Sequence, residues 1–212
     1  GFARIMSRNK FLFCLANLLL NNNKNQKKKD EPGYDSLFKV RPVLTKVESL
    51  LTKYYVLMNS LQFDESLVGL KNRTSLMQYL PNKKHHRFGI KLWVLADSTN
   101  GYVYKLKVYT GASNDTEKSE FGQLYDVMSL MDGLLDKGHT LITNNFYTSV
   151  PLASVFTYQH ETQLVGKLRG NRKYLPSVTK CKVGEQVAYT FWMYPSYHNQ
   201  VQEQEILLHK NK

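Results

Sequence analysis

Cysteine is nearly missing from these 212 residues: Cys14 and Cys181 stand alone and far apart. That excludes a disulfide framework and a zinc site built on paired thiolates, and it suits a reducing compartment. The six histidines, at 85, 86, 139, 160, 198 and 209, show no metal-ligand spacing. His85 and His86 lie among Lys83, Lys84 and Arg87, so they read as part of a basic loop. Acid is scarce too, with 17 Asp and Glu against 29 Lys and Arg, and the formal charge is +12. Such a balance points to a polyanionic partner or an anionic surface. A long apolar run is also lacking. Phe11 to Leu20, preceded by Arg4, Arg8 and Lys10, imitates a secretory signal but is too short to span a bilayer. Asn21-Asn22-Asn23-Lys24 follows in place of a small-residue cleavage site. An amphipathic core helix capped by Ser7 is expected instead, and no membrane partner. The chain opens at Gly1, so its start is not expected to be the native one.

What is present suffices for one sizeable core, at 42% hydrophobic and 12% aromatic residues. Asn21 to Gly33, with Lys27-Lys28-Lys29 and Pro32-Gly33, reads as an exposed linker. Pro42 starts a helix with apolar positions at Leu44, Val47, Leu51 and Tyr54. Residues 1–59 are therefore expected to form a small helical region with a Lys/Asn-rich linker. From Ser60 the period changes. Leu61 to Leu67, Phe88 to Ala96 and Tyr102 to Tyr109 read as strands, the last two joined through Asp97 to Gly101. Ser119 to Asp136 has helical spacing up to a stop at Gly138. A strand at Thr140 to Thr143, a helix from Ser149 to about Gln159 and a strand at Gln163 to Leu168 follow. Hairpin strands followed by alternation with helices predict a mixed α/β sheet flanked by helices over residues 60–178. Residues 179–212 show no periodicity and are expected to be irregular.

Gly138 to Leu152 carries the most chemistry. An apolar strand ends in Asn144-Asn145, Phe146-Tyr147 and Thr148-Ser149 follow, and Val150-Pro151 opens a helix. Such a strand-to-helix junction presents polar side chains at a site. The stretch closely resembles the second catalytic motif of piggyBac-type DDE transposases, in which the strand ends in Asp-Asn. Leu61-Gln62-Phe63-Asp64-Glu65-Ser66-Leu67 resembles that family's first motif, an Asp-Glu pair followed by a basic loop. Tyr79 to Lys84 leading into Gly89 to Trp93, and Gly166 to Lys173 with Leu175-Pro176, resemble later segments in the right order. Met6 to Phe11 and Tyr34 to Pro42 resemble the helical region before the catalytic fold.

This resemblance implies a ribonuclease-H-like fold, DNA as substrate and cut-and-paste chemistry with Mg²⁺ in active relatives. Two hard cations held by three carboxylates perform such chemistry. Asp64 is the implied first acid and the one expected metal ligand. Asn144 stands at a degenerate second position, where an amide offers a neutral carbonyl in place of a charge; a shifted register would put Asn145 there, also an amide. The family's Gly-Gly-Val-Asp segment is not found, and Glu203 and Glu205 sit in a Gln-rich stretch without it. Its cysteine-rich zinc domain is not found either, and the irregular run from Trp192 is expected to reflect truncation or a shifted frame.

Lys71, Arg73, Lys83, Lys84, Arg87, Lys167, Arg169, Arg172 and Lys173 follow strand ends and are the candidate nucleic-acid contacts. The expectation is a nuclear, DNA-binding relic of a transposase, non-specific or reading terminal-repeat-like DNA, with strand transfer lost and no bound cofactor. A homodimer is compatible with it. Rival readings are a metal-dependent DNA nuclease using Asp64 with a substitute acid, and an inert relic or protein-interaction module. Asp97, Asp115 and Glu117 read as turn punctuation, and Ser149 as a helix N-cap. Trp93 and Tyr102 to Tyr109 could stack on bases or fill the core.

Overall fold

Eight strands form one sheet in the computed structural model, which describes residues 4–71, 74–81, 87–111, 122–169, 172–174, 188–193 and 207–210, the last two stretches as backbone. The strands are β1 (Ser60–Gly69), β2 (Met77–Tyr79), β3 (Phe88–Asp97), β4 (Val103–Val108), β5 (Thr140–Thr143), β6 (Gln163–Arg169), β7 (Ala188–Met193) and β8 (Leu207–Lys210). Their order is β2-β3-β1-β5-β6-β7-β8, with β4 also paired to β3. β1 lies antiparallel to β3 but parallel to β5, and β5 parallel to β6. Parallel neighbours need crossovers. The helices α3 (Gly122–Met131) and α4 (Val150–Ser154) lie in those connections. The mixed sheet expected from the sequence is therefore the fold.

The core sits on one face of that sheet. Leu61 and Phe63 of β1, Trp93 and Leu95 of β3, Leu141 of β5, and Leu164 and Leu168 of β6 are buried with side chains of α3 and α4. Alternation leaves Gln62, Asp64 and Ser66 on the opposite face, beside Ala96, Val94 and Leu92. Ser149 caps α4 as expected, accepting from the Leu152 amide at 3.3 Å, and a π-helical turn, Val155–Gln159, completes the span.

Several expectations need correction. The helix expected to run to Gly138 ends at Met131, because Gly133 (φ 72°) and then Asp136 (φ 62°) take left-handed conformations that no helix continues. β2 is too short for its period to register in sequence. The sheet also runs on past residue 179, where an irregular segment was expected: β7 pairs with β6, and β8 with β7. Pairing there is decided by the neighbouring strand more than by local pattern. Asp97 is not mere turn punctuation. It is fully buried and accepts from the Met58 amide at 2.9 Å, the Tyr55 hydroxyl at 3.0 Å, the Thr99 amide at 2.9 Å and the Thr99 hydroxyl. Asp115 and Glu117 lie outside the described residues.

The chain divides into two compact units, Gly1–Leu50 and Leu51–Lys212. In the first, α1 (Arg8–Ala16) is capped by Ser7, which accepts from the Lys10 amide. It is not the expected core helix, for it buries no residue. Phe11, Leu12, Phe13 and Leu15 are exposed because their spacing wraps them around the helix instead of onto one face. Asp35 and Arg41 form a bidentate ion pair, both contacts 2.7 Å, at the start of α2 (Arg41–Lys53). The Arg41 guanidinium holds the Asp35 carboxyl below its ordinary range. Among the described residues no helix is long and apolar enough to cross a membrane.

Candidate functional site

The parallel register sets the site. Phe63 of β1 lies beside Thr143 of β5, both buried. One residue further on, Asp64 and Asn144 emerge together on the face away from the core. The Asn144 amide Nδ2 donates to Asp64 Oδ1 at 2.7 Å. The same carboxylate oxygen accepts from the Glu65 amide at 2.8 Å.

The turn after β5 dictates which end of the amide faces the acid. Asn144 Oδ1 accepts from the backbone amides of Phe146, at 2.9 Å, and Tyr147, at 3.3 Å. An oxygen held by two N–H groups leaves only the NH₂ to meet Asp64; this is an Asx-type turn. Thr148 secures the turn from behind, its amide and hydroxyl both donating to the Asn144 carbonyl, at 3.0 and 2.7 Å. The Thr143 and Thr148 hydroxyls are 2.8 Å apart. Of the two amides, Asn144 meets Asp64, whereas exposed Asn145 accepts from Arg169 at 3.3 Å.

Beneath the turn lies an anchor that sequence reasoning did not find. The Tyr147 hydroxyl accepts from the Trp93 indole N–H at 3.1 Å, and the ring meets Phe63 edge-on with centroids 4.7 Å apart. Burial, and then the neighbouring Glu65 carboxylate, push the phenol far above its ordinary pKa, so it stays neutral. Trp93 is therefore a core residue, and alternation along β1 sends Glu65 toward it, away from Asp64. The only sequence signal was that two aromatics follow the amides.

The basic candidates divide in two. Alternation along β6 puts Lys167 and Arg169, both exposed, on the Asp64 face, and Lys173 is exposed just beyond. Lys71 and Arg87 are exposed where β1 ends and β3 begins, at the same carboxyl end of the parallel strands. Arg172 is engaged otherwise: it donates to the Asn145 carbonyl at 3.2 Å, the Phe146 carbonyl and Gln123 Oε1 at 3.3 Å. Burial, and then nearby Arg169, lower its pKa, as expected of a guanidinium turned inward onto a backbone turn. Arg73, Lys83 and Lys84 lie outside the described residues.

The divalent ions this fold implies do not fit the residues described. A cation at Asp64 would meet the hydrogens of an amide where it needs an oxygen, and Asn144's oxygen is committed to the turn. Among the described residues no group of three or more His, Cys, Asp or Glu could hold a metal ion.

A mixed sheet in which β1 lies parallel to β5, with Asp64 midway along β1 beside Asn144 just past β5, has the ribonuclease-H-like fold. A family model described as Transposase IS4 matches residues 1–211, and the chain belongs to that family, in its piggyBac-type branch. It is 28% identical over 151 residues to the human PiggyBac transposable element-derived protein 3, covering 69% of this chain and 24% of that protein. The human Chimeric ERCC6-PGBD3 protein matches with the same identity and length, over 14% of its own. Among solved structures, a piggyBac transposase synaptic complex with hairpin DNA matches with a TM-score of 0.76 and 23% identity, covering 91% of this chain and 42% of that one. That likeness shows the fold. The chain spans about a quarter or less of the length of the curated relatives it matches.

Proposed function

We propose that this chain is a DNA-binding relic of a cut-and-paste transposase, nuclear in location, in which strand transfer is lost. The observation that carries the loss is the Asn144–Asp64 hydrogen bond, which satisfies the acid with an amide proton instead of a cation. Affinity for DNA is supported by the charge of +12 and by Lys71, Arg87, Lys167, Arg169 and Lys173 standing exposed at one end of the sheet. The solved relative of like fold is a synaptic complex with hairpin DNA, which supports the same partner. In this reading the contacts are mainly to phosphate, so binding is weakly specific and falls steeply with salt. Arg172 shapes the turn, and the exposed residues meet the backbone.

A salt titration of duplex binding by fluorescence anisotropy tests it. Affinity is expected at low salt with a steep negative salt slope, and Lys167→Gln with Arg169→Gln should shallow that slope by roughly two. No affinity at low salt, or affinity indifferent to salt, would favour an inert relic.

A further inference from the structure

The hairpin formed by β2 and β3 ends in two exposed aromatic rings. Tyr79 and Phe88 are cross-strand partners with centroids 4.8 Å apart and planes tilted by 35°. Tyr79 is 53% exposed and Phe88 55% exposed, although cross-strand pairing is the usual way for such rings to shelter each other. The hairpin is closed beyond them by the Leu80 amide, 2.8 Å from the Arg87 carbonyl, and braced on β1 through the Leu70 amide and the Phe88 carbonyl, 3.4 Å apart. At Gly89, directly opposite Gly69, a Cβ would collide with the Val68 carbonyl, so β1 and β3 approach closely there.

Their surroundings select the partner. Lys71 and Arg87, at the adjoining strand ends, are exposed. Between Glu65 and Asp97 the sequence has no Asp or Glu to set against these two cations. Paired register keeps Phe88 and Tyr79 on the same face as Ile90 and Val94, hence on the face of Asp64. Exposed π-faces beside unopposed cations are the combination that holds unpaired bases, the rings stacking while the cations track phosphate.

We propose that Tyr79 and Phe88 form a stacking platform for unpaired DNA bases at the edge of the domain. This rests on the reading that the chain binds DNA, and it adds a preference for unpaired strands that phosphate contacts alone do not supply.

The test compares a labelled oligothymidine single strand with a mixed-sequence duplex of equal length at matched salt, using the whole chain. Tyr79→Ala with Phe88→Ala should weaken single-strand binding about ten-fold or more while duplex affinity and salt slope stay unchanged. Tyr79→Leu with Phe88→Leu keeps the apolar cover but removes the π-faces, and should lose the same affinity; Tyr79→Phe alone should keep it. Should the alanine pair fail to fold, the leucine pair decides. Single-strand binding indifferent to ring removal, or a loss equal for single strand and duplex, overturns the platform and leaves DNA binding standing. Binding to neither probe overturns both.

Discussion

Asn144, just past the end of β5, donates its amide proton across 2.7 Å to Asp64 in the middle of β1, eighty residues earlier in the chain. That contact gives the carboxylate a neutral donor on Asn144's side. Asn144→Asp should therefore do more than restore a family residue. One carboxylate oxygen would still accept from the Phe146 and Tyr147 amides, and the other would face Asp64 with like charge. The variant is expected to lose about 1–3 kcal/mol in chelator at pH 7, the cost of breaking a partly buried pairing. Millimolar Mg²⁺ or Mn²⁺, or acid, should return part of it. Urea unfolding with and without divalent ion measures this, and a variant as stable as its parent in chelator would show that the contact matters little.

The same variant should not cut DNA. In-line displacement needs both metal ions placed, and one restored carboxylate supplies a single missing ligand. Losses of this kind are not additive, so a single repair recovers little. Neither the 212-residue chain nor its Asn144→Asp form is expected to nick supercoiled DNA with Mg²⁺ or Mn²⁺. Nicking by the parent that vanishes in Asp64→Ala would instead establish a working nuclease.

Much of this was legible in the sequence where periodicity or motif was strong. Thr140 to Thr143 and Phe88 to Ala96 announced themselves as strands, and the order of motifs pointed to Asp64 and Asn144 as neighbours. Hidden were features set by partners distant in the chain. Asp97 looked like any turn acid until Tyr55 and Met58 closed over it. Arg172 looked like one more phosphate ligand, but it turns inward and donates to the Asn145 and Phe146 carbonyls and to Gln123. The Phe11 to Leu20 run was misjudged for the opposite reason, since apolar content without a one-sided spacing gives a helix no face to bury.

Gly166 is the position where the site tolerates least. A Cβ there would collide with the Thr148 hydroxyl and lie 2.8 Å from the Thr143 carbonyl oxygen, both part of the turn that orients Asn144. Gly166→Ala should cost about 1–3 kcal/mol by overpacking. Gly122→Ala is the control, for no atom of the described residues lies within 4 Å of its added carbon and the position opens α3. It should be neutral or slightly stabilising. Thermal unfolding of the two variants compares them directly, and equal midpoints would remove the steric argument.

Asp97 should impose a measurable pH dependence on stability. The Thr99 hydroxyl, then the Met58 amide, lower its pKa from 3.8 to about 2. A carboxyl whose folded pKa is depressed contributes stability that is complete above its unfolded value and is lost as pH falls through the folded one. The window therefore runs from about pH 4 down to about pH 2. In Asp97→Asn an NH₂ group would face the donors now satisfied by the second carboxylate oxygen, the Tyr55 hydroxyl and the Met58 amide. That variant should be less stable than its parent at pH 7, and its stability should change less across the window, so the two curves converge toward pH 2. Because Asp97 lies at the opposite end of β3 from Phe88, where β1 begins, DNA binding by the folded variant should be unchanged. Urea midpoints from pH 7 to pH 2 follow the convergence. Curves that stay parallel would mean that the hydrogen bonds to Asp97 do not depend on its charge.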